Sequence, residues 1–146
     1  MIQRIQSIFL LVAAIVMGIL FAIPFATSEK ADNAIFSDKI YNVYDHPALL
    51  ALVGLGTAIA LINIFLFKKR GLQVRLDFLY VALAIVLLAL VFFIVFGSGE
   101  VSTSEIGIKE NYVALAMPIL GIVAALFANR FIKKDQKIVK SMDRLR

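Results

Sequence analysis

The feature that most constrains this chain is the uncharged run Ala48–Phe67, which spans 20 residues and is followed at once by Lys68, Lys69 and Arg70. A helix needs about 20 apolar residues to cross the hydrocarbon core of a bilayer. Lysine and arginine concentrate on the cytoplasmic side of such helices. The sequence therefore predicts a membrane-spanning helix whose carboxyl end lies at the cytoplasmic face.

Composition extends this prediction to the whole chain. The 146 residues are 62% hydrophobic, whereas soluble domains are about 45–50% apolar. The length allows one domain, 1–146, and three further apolar runs accompany the first. We predict an all-α membrane protein, a bundle of four transmembrane helices with a C-terminal cytoplasmic basic amphipathic helix. The predicted spans are residues 5–23, 48–67, 78–96 and 112–131, and the basic tail is 132–146.

The orientation follows from the distribution of cations. Of the 15 lysines and arginines, 12 lie at the predicted inner ends of the spans. The three exceptions are Lys30, Lys39 and Lys109. Both termini are therefore expected in the cytoplasm. A secretory signal is the competing interpretation of the first run. It is disfavoured because that run exceeds a signal core of about 7–15 residues and no A-x-A site follows.

The search for catalytic chemistry finds no supporting pattern. The chain has no cysteine and a single histidine, His46. We therefore expect no enzyme, cofactor or metal site. No predicted span carries an ionisable residue near mid-depth, which argues against a proton-coupled pump. The deepest polar side chain is Asn63, for which a hydrogen bond between helices or interfacial solvation is favoured over ligand binding.

Two basic inner elements are the predicted contact surfaces. On a helix, Phe131, Ile138, Met142 and Leu145 line one face of the tail. Anionic lipid of the inner leaflet is the favoured partner, and a protein partner or a second copy of the chain is the alternative. Nucleic acid is not expected, because the cations sit at the ends of apolar runs. The predicted contact residues are Lys68, Lys69, Arg70, Arg75, Lys133, Lys134, Lys137, Lys140, Arg144 and Arg146.

Three stretches carry a resemblance to a known family. They are the opening Met1–Ile8, the segment from Asn63 to Arg75 with Gln73, and the ending from Lys133-Lys134-Asp135 to Arg146. The chain resembles an inner-membrane family of Bacteroidota-type bacteria, domain of unknown function 4293. The resemblance implies four spanning helices and a bacterial inner membrane, and it transfers no catalytic residues.

From these observations we expect a polytopic inner-membrane protein that serves as a non-enzymatic accessory or scaffold subunit of a membrane complex. The alternative is a small oligomeric channel or transporter that uses Asn63, Thr57 and Pro118 around a pore. A membrane enzyme or cofactor carrier is the third possibility. The sequence leaves open whether the outer segments, residues 27–45 and 97–111, fold onto each other.

Overall fold

The computed structural model describes residues 3–28, 38–67, 69–94 and 108–143. These residues form four α-helices, three short β-strands and a 3₁₀ turn at Val43–Asp45. The helices are α1 (Gln3–Ile19), α2 (Pro47–Phe65), α3 (Arg70–Phe92) and α4 (Tyr112–Asp143). The strands are β1 (Ala26–Ser28), β2 (Ile40–Tyr41) and β3 (Ile108–Glu110).

Each helix packs against two others. Helix α1 contacts α2 and α4, and α3 contacts the same two helices from the other side. Neighbours in this arrangement run antiparallel, so α1 and α3 point in one direction and α2 and α4 in the other. One end of the molecule carries the strands and is called the sheet end. The opposite end carries the α2–α3 connection and is called the turn end.

A buried stripe runs along each helix, with residues spaced alternately four and three apart. This spacing keeps side chains on one face of a helix, as at the a and d positions of a coiled coil. We call these positions the core stripe. They are Gln6, Leu10, Ala13 and Met17 in α1, continued by Leu20 just after it; Leu49, Val53, Gly56, Ala60 and Asn63 in α2; Gln73, Asp77, Tyr80, Ala84, Leu87 and Val91 in α3; and Ala114, Pro118, Gly121, Ala125, Ala128, Ile132 and Asp135 in α4.

The outward faces are also apolar. All four helices expose large hydrophobic side chains, such as Ile8, Leu55, Ile85 and Leu120. Three helices, Pro47–Phe65, Arg70–Phe92 and Tyr112–Val139, are long and apolar enough to cross a membrane, and the apolar part of α1, Ile5–Ile19, is shorter. The molecule is therefore compatible with a membrane location.

The strands form a small antiparallel sheet in the order β2-β1-β3, which the all-α prediction lacked. Ala26 pairs with Tyr41 on one side and with Glu110 on the other. The two outer segments thus fold onto each other, which answers the question that the sequence left open. Phe25, which precedes β1, and Tyr41 of β2 are buried members of the apolar core, so the sheet closes the core at one end.

The helix boundaries differ from the predicted spans. Helix α1 ends at Ile19 and α2 at Phe65, whereas the predictions extended to residues 23 and 67. Helix α3 covers residues 70–92 instead of 78–96, so it begins eight residues before the predicted span. The cause is that hydropathy ends a span at the first charge, whereas the core stripe of α3 continues through polar residues. Helix α4 runs to Asp143, so the fourth span and the described part of the predicted helical tail form one helix.

Candidate functional site

Polar side chains occupy the core close to the turn end. Among the described residues, the buried amide and carboxylate side chains all lie there. Burying a polar group costs free energy unless it gains a partner, so this concentration marks the candidate site. Five of these side chains are called the polar cluster, and the sixth, Asp135, lies beyond it. The polar cluster consists of Gln6, Asn63, Gln73, Asp77 and Asn129.

Two residues of the polar cluster join α2 to α3. The Asn63 Nδ2 donates to the main-chain oxygen of Gln73 at 3.2 Å, and the Gln73 Nε2 donates to the main-chain oxygen of Asn63 at 3.1 Å. Both side-chain nitrogens are therefore committed to carbonyl groups. The two side-chain amide oxygens have no hydrogen-bond partner among the residues that the structure describes.

The Tyr80 hydroxyl sets the level of Gln6. It donates to the main-chain oxygen of Ala13 at 3.0 Å, which places α1 beside α3 in a defined register. Gln6 precedes Ala13 by seven residues, and Gln73 precedes Tyr80 by the same distance. Seven residues are about two helical turns, and α1 and α3 run in the same direction. Gln6 and Gln73 therefore lie at one level.

A stack of three aromatic rings brings Asn129 to the same region. The Phe9 ring lies 5.6 Å, between centroids, from the rings of both Phe127 and Phe131. Asn129 falls between those two phenylalanines in α4 and is buried at 5% exposure. It therefore sits near the level of Phe9, within about one turn of Gln6.

Asp77 is the carboxylate of the polar cluster. It follows Gln73 by one turn in α3, is 1% exposed, and its Oδ2 has no hydrogen-bond partner within the protein. Lys133 of α4 attracts it electrostatically. The Lys133 Nζ itself lies on the surface, 5.0 Å from the centre of the Phe78 ring. Asp77 is thus enclosed, while the nearby cation faces outward.

An ion pair lies between the polar cluster and the turn end. The Arg70 Nη2 is 3.0 Å from the Asp135 Oδ2, with side-chain exposures of 19% and 11%. Arg70 precedes Gln73 by about one turn, and Asp135 follows Ile132 by the same interval in the core stripe. The two charges therefore neutralise each other about one turn closer to the turn end than the polar cluster.

Comparison with known proteins supplies the family. The profile of a family described as Domain of unknown function (DUF4293) matches residues 2–145. The chain belongs to the DUF4293 family. No curated protein and no solved structure matches it. Roles for residues of this DUF4293 chain therefore come from its own geometry.

The predicted basic residues of the DUF4293 chain divide into groups. Arg70 forms the ion pair with Asp135, which hydropathy did not reveal. Lys68, Arg144 and Arg146 lie outside the described residues, as does the side chain of Lys140. The remaining predicted cations are all exposed, namely Lys69, Arg75, Lys133, Lys134 and Lys137.

The tail packs against the bundle through a face other than the one predicted to contact lipid or a partner. Ile132 and Asp135 are buried, whereas Ile138 is exposed and Phe131 is partly buried against Phe9. The cause is the core stripe of α4, which continues through Ile132 and Asp135. Met142 and Leu145, the other members of the predicted face, have no described side chain.

Helix α4 carries two grooves that meet at one arginine. The first is lined by Val123, Leu126, Phe127 and Arg130. The second is lined by Arg130, Lys133, Lys134 and Lys137. An apolar groove therefore leads directly into a cationic one, and Arg130 belongs to both.

The residues of the hypothetical pore do not gather at one place. Thr57 Oγ1 donates to the main-chain oxygen of Val53 at 2.8 Å, a bond within α2. Asn63 lies six residues further along α2, and Pro118 lies near the start of α4, towards the sheet end. These three side chains thus occupy separate levels of the DUF4293 fold.

Sequence reasoning missed four residues of the polar cluster, Gln6, Gln73, Asp77 and Asn129. The signal that could have found Gln73 and Asp77 is their spacing, because 73 and 77 continue the alternation 80, 84, 87 and 91. Gln6 likewise continues the series 10, 13, 17 and 20. A span defined by hydropathy excludes charged residues, so Asp77 fell one residue outside the predicted third span.

Proposed function

We propose that this DUF4293 chain is a multi-pass protein of the bacterial inner membrane, with both termini in the cytoplasm. In this proposal it is a four-span bundle that serves as a non-enzymatic accessory or scaffold subunit of a membrane complex. The observation that carries the proposal is the pair of joined grooves on α4. An apolar groove that ends in clustered cations suits an acyl chain attached to an anionic head group.

The fourth span in this proposal is α1. Its apolar part, Ile5–Ile19, extends for about 22 Å at 1.5 Å per residue, less than the bilayer core of about 30 Å. Its packing against α2 and α4, both long enough to span, supports a transmembrane position. A short helix is accommodated by local thinning of the bilayer at modest cost.

The orientation rests on the charges at the turn end. Lys69, Arg75, Arg130, Lys133, Lys134 and Lys137 are all exposed there. The bilayer leaflet that faces the cytoplasm is the one that tolerates such a concentration of cations. The exposed Phe65 and Phe67 flank Lys69 in a pocket of the turn, where aromatic rings would lie at head-group level.

Cysteine labelling tests the orientation cleanly, because the chain has no cysteine of its own. We expect Ser141→Cys to react with an impermeant maleimide only after cells are opened, and Tyr44→Cys to react in intact spheroplasts. Both positions are exposed, so accessibility within the fold does not confound the result. Labelling of Ser141→Cys from the periplasm would overturn the orientation.

Native mass spectrometry after mild extraction tests the accessory role. We expect the wild type to retain anionic phospholipid and a protein partner or further copies of the chain. The triple variant Lys133→Gln, Lys134→Gln and Lys137→Gln should lose most of the bound lipid. The matched control is the triple variant Lys30→Gln, Lys39→Gln and Lys109→Gln, which removes an equal charge from the segments that join α1 to α2 and α3 to α4. This control should keep the bound lipid. Recovery of the wild type only as a bare monomer would overturn the proposal.

A small channel or transporter is the second candidate function, favoured by the polar cluster inside the helices. Asn63→Leu distinguishes the two functions. Solute flux through reconstituted protein should disappear in this variant if the protein is a channel or transporter. Complex assembly should largely survive it if the protein is an accessory subunit.

A further inference from the structure

The polar cluster contains far more acceptors than donors. Five buried side-chain oxygens have no hydrogen-bond partner among the described residues, one on each residue of the polar cluster. Against them stands one unpartnered nitrogen in the same region, the Gln6 Nε2. Buried polar atoms in folded proteins nearly always have partners. These oxygens therefore suit a hydrogen-bond donor or a cation.

The hydrogen bonds of Asn63 and Gln73 fix which side-chain atoms are the unpartnered ones. Rotating the Asn63 or Gln73 amide by half a turn would direct its oxygen at a carbonyl oxygen, because each nitrogen now donates to a main-chain carbonyl. Acceptors cannot pair with each other. The side-chain oxygens of Asn63 and Gln73 therefore remain available to bind a ligand.

Charge limits the identity of the ligand. Asp77 is the carboxylate of the polar cluster, since Asp135 is neutralised by Arg70. Lys133 is the cation that acts on Asp77, and it does so from the exposed side of α4. The described residues contain no group of three histidine or acidic side chains that would suit a divalent metal. A single positive charge is therefore the best match to the enclosed carboxylate.

The oxygen atoms of the polar cluster also suit a cation by their chemical type. Carboxylate and amide oxygens are the donors that hard cations prefer. The residues that carry these oxygens belong to all four helices. The Tyr80–Ala13 bond, the Asn63–Gln73 bonds and the Phe9 stack place these residues within about one helical turn along the molecular axis. The ion pair Arg70–Asp135 lies between this region and the turn end.

We propose that the polar cluster is a binding site for one sodium-sized monovalent cation, held by the Asp77 carboxylate and by amide oxygens of Gln6, Asn63, Gln73 and Asn129. The bound ion joins all four helices at one level. The site does not depend on lipid contact at α4, and its test is independent of the proposed accessory role.

The test measures sodium binding to the purified full-length chain in detergent, by titration calorimetry and by the midpoint of thermal unfolding. NaCl is exchanged for choline chloride at constant ionic strength. We expect one saturable site and a midpoint that rises with sodium concentration. Asp77→Asn keeps the shape but removes the charge, and should weaken binding by at least about tenfold. Asp38→Asn, an exposed carboxylate near the sheet end, is the matched control and should bind as the wild type does.

Gln6→Met provides a second variant if Asp77→Asn fails to fold, because methionine matches the length of glutamine without its oxygen. It should weaken sodium binding while the chain still unfolds cooperatively. Equal sodium responses in the wild type, Asp77→Asn and Gln6→Met would overturn the proposal. A midpoint that depends on pH through Asp77 but not on sodium would also overturn it, since protons and water would then satisfy the oxygens.

Discussion

Asn63 and Gln73 close the α2–α3 turn with two reciprocal hydrogen bonds, in which each side-chain amide donates to the main-chain carbonyl of the other residue at 3.2 and 3.1 Å. Asn63 is the last core-stripe residue of α2, and Gln73 is the first of α3. The carbonyl of Asn63 also accepts from the Leu66 N–H at 3.3 Å as α2 ends. The side-chain amides therefore add hydrogen bonds to these carbonyls and tie the end of α2 to the start of α3.

Replacing the Asn63 amide should destabilise the fold. Asn63→Leu keeps the branched shape of the side chain but removes the amide that donates to the Gln73 carbonyl, so the free energy of unfolding should fall by about 1–3 kcal/mol. Thermal or denaturant unfolding in detergent measures it. Ser141→Ala removes an exposed hydroxyl that bonds within its own helix, at 2.7 Å to the Ile138 oxygen, and should have little effect. An equal loss in both variants would contradict this account.

A methyl group at Gly121 should be costly. A Cβ there would collide with the Tyr80 hydroxyl and lie 3.2 Å from a Val16 methyl carbon, so Gly121→Ala should lower stability by about 1–3 kcal/mol. Removing the hydroxyl with Tyr80→Phe should make the same substitution less costly. Gly54→Ala is the control, because a Cβ there meets no atom within 4 Å and alanine favours a helix. The explanation fails if Gly54→Ala proves as damaging as Gly121→Ala.

Breaking the Arg70–Asp135 pair should loosen the turn end. The pair is partly exposed, so Arg70→Gln should cost about 1–3 kcal/mol, less than the loss of a partner in a fully buried pair. Hydrogen exchange should increase in residues 130–143 of α4. The double variant Arg70→Gln with Asp135→Asn should recover part of the loss, since it leaves no unpaired charge. Lys134→Gln, an exposed cation outside the pair, serves as the control.

The sheet end should weaken at high pH through Tyr41. Burial, with a smaller contribution from Asp45, raises the pKa of Tyr41 from 10.0 to about 12. The folded protein thus holds this proton more tightly than the unfolded chain does. The resulting stabilisation is complete below pH 10 and is lost as the pH rises towards about 12. Unfolding midpoints across this range should show less pH dependence in Tyr41→Phe than in the wild type.

The exposed Tyr44 supplies the control for this prediction. Tyr44→Phe should retain the pH dependence of the wild type, as followed by unfolding and by the ultraviolet absorbance of tyrosinate. The assignment to Tyr41 would be wrong if both variants changed the profile equally.

Much of the helical organisation could be predicted from hydropathy. The uncharged run Ala48–Phe67 predicted α2 to within two residues at its end, because its limits are set by Pro47 and by charges. The start of α3 could not be predicted in this way. Arg70, Gln73 and Asp77 are polar, and what makes them helical is packing against α2 and α4.

The sequence by itself determined that the chain is largely helical, apolar on its outer faces and cationic at one end, since these properties depend on composition and on periodicity along single helices. Tertiary structure alone decided that Gln6, Asn63, Gln73, Asp77 and Asn129 share one region, and that strands from two separate segments pair into a sheet. The physical reason is that contacts between helices depend on their relative register. That register is set by particular contacts such as the Tyr80–Ala13 bond and the Phe9 stack, which leave no periodic mark in the sequence.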